Sequence, residues 1–170
     1  MKCRLWKYLY YLVLLVFGGQ LYGQEAECLL VDGPYVLYDE AGNIRVIRVD
    51  ERGIIQDNTY EETSEGFKLD VVSQKGGHRF QVKLHPVERP LWKSGQREKT
   101  LIISDPHGDL ECFVSVLRNN GVIGKNYKWK FGKNQVIVIG DVFDRGKDVL
   151  PIFWLIYKLE QEAKDAGGVM

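Results

Sequence analysis

Residues 101–109, LIISDPHGD, and residues 135–146, QVIVIGDVFDRG, decide how this chain folds. Each opens on a short apolar run and ends in a polar loop containing glycine. A strand whose residues are apolar without alternation is buried on both faces, the habit of a parallel sheet. Between the two, residues 110–119 set Phe113, Val116 and Leu117 on one side of a helix that Asn119-Asn120-Gly121 ends. Strand, helix and strand in that order make a crossover unit of an α/β fold. A second helix, from about Lys147 to Ala166, is apolar through Leu150–Leu159, then charged, and is stopped by Gly167-Gly168. Val169-Met170 reads as the opening of a third strand.

Ligands of open α/β sheets bind outside the carboxyl ends of the strands. Two polar motifs stand there: Ser104-Asp105-Pro106-His107-Gly108-Asp109 and Gly140-Asp141-Val142-Phe143-Asp144-Arg145-Gly146. Asp105 and Asp141 are 36 positions apart, about one strand–helix–strand unit, so the crossover returns both carboxylates to one edge. Carboxylate and imidazole suit Mn²⁺, Fe or Zn²⁺, and two carboxylates with an imidazole can begin a two-metal site. Gly108, Gly140 and Gly146 allow sharp turns and close approach to an ion or a phosphate oxygen. Arg145 offers a planar fork for a phosphate. Plainer roles stand beside these. Asp109 is most simply the N-cap of the following helix, Asp144 and Arg145 form a loop ion pair, and a lone His107 is more often structural than a ligand. Position favours the chemical reading, because both motifs leave strands one crossover apart.

The pair resembles the first two signature blocks of the calcineurin-like metallophosphoesterases, Asp-x-His-Gly and Gly-Asp-x-x-Asp-Arg-Gly. Within that superfamily, SDPHGDLECFVSVLRNNGVI and VIVIGDVFDRG resemble the bacterial Shewanella-like protein phosphatases most. The resemblance implies the N-terminal part of a metallophosphoesterase α/β sandwich over residues 100–170; a small antiparallel β domain, read from strand periodicity, precedes it. The resemblance also implies that Asp105 and His107 ligate one divalent ion, and that Asp141 bridges to a second. Arg145 would hold the substrate phosphate, and Asp144 would support a catalytic histidine. The implied reaction is hydrolysis of phosphomonoesters by metal-activated hydroxide, on a phosphoprotein or a small phosphoester. A nucleotide phosphoesterase of the same superfamily and a non-catalytic fragment are the alternatives. The family's Gly-Asn-His-Glu block and later histidine ligands have no matching position here. The expectation is therefore a fragment with little activity of its own, marginally stable because its second helix lacks later strands to cover it.

Upstream the periodicity changes. Tyr35–Tyr38, a turn at Asp39–Asn43 and the β-branched run Ile44–Val49 read as strands. Phe67, Leu69 and Val71 alternate with polar residues, as do Phe80, Val82 and Leu84 after Gly76-Gly77, which signals a hairpin with one buried face. Residues 24–85 are thus expected to form the small β-rich domain, with His78 and His85 at solvated or edge positions. Residues 86–99, with two prolines and a cluster of charges, read as a linker.

At the N-terminus, Lys2, Arg4 and Lys7 precede an apolar run from Tyr8 to Gly19, with no acidic residue before Glu25. That pattern is a secretory signal peptide, residues 1–23, too short to span a bilayer comfortably. The protein is expected to be exported, periplasmic or secreted, with no stable membrane insertion after signal removal. Over all 170 residues, 23 basic side chains balance 23 acidic ones. The signal carries three basic and no acidic groups, so the mature chain is net −3. That balance argues against a nucleic-acid partner, which a strong basic field would attract. Three cysteines are too few for a disulfide scaffold. Cys28 and Cys112 are candidates for one bond, although Cys112, among apolar helix positions, reads better as a buried free thiol.

Overall fold

A computed structural model describes residues 31–61, 66–74, 77–89, 93 and 95–170. The signal-peptide reading, Cys28, and Gly76 of the hairpin turn lie outside the described residues.

Among the described residues the fold consists of three small sheets and two helices. β1 (Asp32–Tyr38), β2 (Ile44–Val49) and β3 (Ile55–Tyr60) form an antiparallel sheet in that order. β4 (Lys68–Val72) and β5 (Arg79–Lys83) form the expected hairpin, pairing Leu69 with Val82 and Val71 with Phe80. Those four side chains are the buried ones of both strands, as period-two alternation requires. β3 carries no apolar alternation, and its sequence IQDNTY does not announce a strand. It forms by pairing along the whole of β2, from Ile44 opposite Tyr60 to Val49 opposite Ile55. On its solvent side Asp57 accepts two hydrogen bonds from the Arg45 guanidinium, at 2.8 and 2.5 Å, a diagonal cross-strand ion pair.

The second half follows the crossover reading. β6 (Thr100–Ser104) runs parallel to β7 (Gln135–Ile139), Ile102 facing Ile137 and Ser104 facing Ile139. Helix α1 (Leu110–Asn119) connects them, and α2 (Val149–Asp165) follows β7. Where the third strand is expected, Val169 makes an isolated parallel bridge to Gln135, with the Val136 amide donating to Val169 O at 2.9 Å. α2 begins at Val149, two residues after the expected start near Lys147, and the Asp148 amide at its N-cap donates to Gly108 O at 3.0 Å.

Two expectations fail here. The parallel pair is not covered on both faces. Ile103 and Val136 are buried against α1 and α2, whereas Ile102 and Ile139, on the opposite face, are 59% and 50% exposed. Nor does α2 lie half-bare. Ile152, Leu155 and Leu159 are fully buried, and α2 packs on β1, β4 and β5 as well as on α1. The antiparallel strands therefore supply cover that the crossover unit alone lacks. Trp154 Nε1 donates to Pro34 O at 2.9 Å, and the Tyr157 ring stacks on His85 at 3.9 Å. Buried residues of both halves, from Ile44 to Leu159, make one continuous cluster. Cys112 is exposed rather than buried, because the inward face of α1 is taken by Leu110, Phe113, Val114 and Leu117.

Candidate metal centre

Both motif loops leave the carboxyl ends of β6 and β7 and cross-link there. The Asp105 amide donates to Ile139 O at 3.2 Å, and the His107 amide to Asp141 O at 3.1 Å. In return the Asp141 amide donates to Asp105 Oδ1 at 2.9 Å. The other Asp105 oxygen takes the Ser104 hydroxyl. Those two donors, the hydroxyl first, hold the Asp105 carboxyl below the usual carboxylate range, with His107 and Arg145 adding to the pull.

Backbone strain concentrates at these loops. Asp105, His107 and Asp144 adopt φ of 48°, 44° and 88°, a region costly for residues bearing a Cβ. They are three of the four non-glycine residues with positive φ among those described. Their neighbours make the conformation possible. A Cβ on Gly140 would lie 2.5 Å from Asp105 Oδ1, and one on Gly108 2.7 Å from the Gly146 backbone. Gly146, likewise, has no room for a side chain beside His107 O and Gly108. The glycines thus serve the contact of loop with loop.

What gathers at this edge is one imidazole and two carboxylates. Ligand atoms of His107, Asp141 and Asp144 all lie within 4.8 Å of one another. His107 Nδ1 is 3.3 Å from Phe143 O and 3.9 Å from Asp144 Oδ2. Asp141 Oδ1 accepts the Phe143 amide at 3.0 Å. Arg145 lies 3.3 Å from the same Asp144 oxygen with its guanidinium largely exposed. One nitrogen and two oxygen donors of borderline-to-hard character fit a divalent cation. Asp105, expected as a ligand, joins through the Asp141 amide and stands outside that trio. Asp144, expected as a support, stands within it. Asp109 caps α1, its carboxylate accepting the Cys112 amide at 2.9 Å.

Two residues near the site were not singled out from sequence as parts of it. Asp148 stands at the N-cap of α2 but makes no side-chain cap bond. It accepts instead the Gln74 amide of the β4–β5 turn, at 2.7 Å. His78 is buried, contrary to the solvated or edge position expected of it. Both its ring nitrogens are engaged, by Tyr127 and by Glu111 of α1. Only an unpaired acid at a helix start could have marked Asp148. Nothing in the sequence near His78 points to partners 33 and 49 positions away.

Motif loops on adjacent parallel strands, gathering imidazole and carboxylates one crossover apart, define the edge of a metallophosphoesterase-type α/β fold. Known proteins agree with that class. The chain is 39% identical over 71 residues to "Shewanella-like protein phosphatase 2" of Arabidopsis thaliana, covering 42% of this chain and 18% of that protein. It is 42% identical over 66 residues to "Shewanella-like protein phosphatase 1" of Plasmodium berghei, 38% of this chain and 18% of the relative. An asymmetrical bis(5'-nucleosyl)-tetraphosphatase of Oceanobacillus iheyensis is 37% identical over 62 residues, 36% of this chain and 25% of its own length. Among solved structures, a cold-active protein-tyrosine phosphatase of a psychrophilic Shewanella species superposes with a TM-score of 0.61 at 26% identity. That match covers 82% of this chain and 41% of the other. No family model matches. The chain is related to the calcineurin-like metallophosphoesterases and folds as the N-terminal part of their α/β architecture. It spans about a fifth of the length of the first two curated relatives.

Proposed function

We propose that the protein is a metal-dependent phosphoester hydrolase of the protein-phosphatase type. The observation that carries this reading is the convergence of His107, Asp141 and Asp144 at the carboxyl edge of β6 and β7. Two divalent ions, of Mn, Fe or Zn, are the proposed cofactors, with His107 and Asp141 as ligands and Asp105 brought in as the loops adjust. Bound there, they would supply Lewis-acid polarisation of the phosphoryl oxygens and a deprotonated water near neutral pH. The chain's own residues position and neutralise. Arg145, exposed at the rim, presents a fork to two phosphate oxygens. Asp144 holds that fork and faces the His107 ring, so the two loops present their charges together. Phosphate affinity depends on these groups, because the mature chain carries a net charge of −3.

The proposed substrate is a phosphoprotein, in keeping with the names of the Arabidopsis, Plasmodium and Shewanella relatives. The tetraphosphatase relative supports a second reading, a nucleotide or other small phosphoester. Residues 24–85 are proposed as an accessory β-rich part joined through residues 86–99. Export by a signal peptide at residues 1–23, to the periplasm or outside the cell, completes the proposal. Among the described residues no helix is long and apolar enough to cross a membrane.

Calorimetric titration of Mn²⁺ tests the centre. Saturable binding is expected, weakened at least about tenfold by Asp141→Asn and by His107→Ala; binding unaffected by both substitutions would falsify the metal site. Hydrolysis of phosphotyrosyl peptides, phosphoseryl peptides and a dinucleoside tetraphosphate, each with Mn²⁺, separates the two substrate readings. The same assay tests whether these 170 residues alone turn over slowly.

A further inference from the structure

The β4–β5 hairpin turn is joined to the helix starts that follow both motif loops, although it contributes no metal-ligand candidate. The turn is closed on itself, the Ser73 amide donating to His78 O at 2.9 Å and the His78 amide to Ser73 Oγ at 3.0 Å. Ser73 and His78 are both buried, which anchors the two ends of the turn. From these ends two bonds leave in different directions.

One reaches the helix start just after the second motif. The Gln74 amide donates to Asp148 Oδ1 at 2.7 Å. Asp148 lies three residues beyond Arg145, and its own amide grips Gly108 O of the first motif at 3.0 Å. A single residue thus receives the hairpin, holds the loop of His107 and starts α2, where the Ile152 amide donates to its carbonyl at 3.0 Å. The second bond reaches the helix that follows the first motif. His78 Nε2 is 2.6 Å from Glu111 Oε2, and His78 Nδ1 is 2.8 Å from the Tyr127 hydroxyl. A carboxylate only accepts, so Nε2 carries the proton and donates to Glu111. Glu111 stands in the first turn of α1, directly after the Asp109 cap.

We propose that the β4–β5 turn is a clamp on the metal centre, with Asp148, His78 and Glu111 as positioning residues that hold the two motif loops in register. The inference rests on the metal-centre reading above, and it gives the β-rich half a role by geometry. Loops held at positive φ need such support, since three strained residues relax unless their surroundings over-determine them. Groups behind the ligands commonly control affinity as much as the ligands do.

Amide hydrogen exchange of the whole chain tests the clamp without requiring activity. The reporters are the His107 and Asp141 amides, which bond across the two loops; the control is the β2–β3 ladder. Asp148→Ala is expected to speed exchange at both reporters about tenfold, with the ladder unchanged. Asp148→Asn keeps an oxygen for the Gln74 amide and is expected to restore protection. Should Asp148→Ala not fold, Glu111→Ala against Glu111→Gln repeats the comparison at a side chain that is 81% exposed. In parallel, Mn²⁺ affinity is expected to fall about tenfold in each alanine variant and to recover in its conservative partner. Unchanged exchange at the reporters, or conservative variants behaving like the alanine ones, overturns the clamp. A chain that shows the exchange pattern but binds no Mn²⁺ supports the clamp and overturns the metal reading instead.

Discussion

Gly146 shows how closely the two motif loops depend on each other. Any side chain there meets His107 O and the backbone of Gly108, neither of which can give way cheaply. Gly146→Ala must therefore part the loops. Overpacking of this kind costs about 1–3 kcal/mol, and it displaces His107 relative to Asp141. Denaturant titration should show that loss together with weakened Mn²⁺ binding, whereas Gly53→Ala, with open space around it, should leave the metal untouched. The motif residues were legible from sequence because spacing along a crossover predicts which strand ends meet. Their exact partners were less so. Whether Asp105 or Asp144 joins His107 and Asp141 depends on side-chain orientation, which strained loop dihedrals set and apolar periodicity does not record. His78 and Asp148 were illegible as ties for a different reason. Each acts through a contact between segments whose mutual packing no local pattern encodes.

Elements follow their capping and burial. Asp109→Ala removes the side-chain cap of α1 and should cost about 1 kcal/mol in chemical denaturation. Leu155→Ala empties a fully buried site between α2 and both halves, and about 2–5 kcal/mol is expected. On the same helix, burial pushes the Glu160 carboxyl up, against an opposing pull from His85. Its folded value lies above the unfolded one, so the folded state binds the proton more tightly. That contribution is present at low pH and is lost as pH rises through the raised value. Glu160→Gln removes the titration, so melting temperatures followed from about pH 4 to about pH 7 should decline less in the variant than in the parent. Equal declines would show that the charge at Glu160 is not felt. Among the described residues, both helices and six of the seven strands were readable from the sequence pattern. β3 was not, because its stability lies in pairing with β2 and in the Arg45–Asp57 bridge rather than in its own residues.

At the scale of the molecule, the buried cluster runs without a break from β2 through α2, so the antiparallel strands and the crossover unit should unfold together. Tryptophan fluorescence and far-ultraviolet circular dichroism ought to trace one coincident melt. A helix covered only by later strands would leave the chain marginal, whereas α2 is packed on β1, β4 and β5. Uncovered apolar surface lies on the outer face of β6 and β7, where Ile102 and Ile139 are 59% and 50% exposed. Contiguous apolar surface of this kind drives association, and two adjacent parallel strands present it flat. Replacing Ile102 and Ile139 together by threonine keeps the β-branched shape that suits a strand while making the face polar. Little transfer energy is lost, since neither side chain is buried to begin with. Sedimentation velocity across a concentration series should therefore show less self-association in the double variant, and its melt should stay within about 1 kcal/mol of the parent. A large drop in stability with association unchanged would place these isoleucines in the core and overturn the prediction.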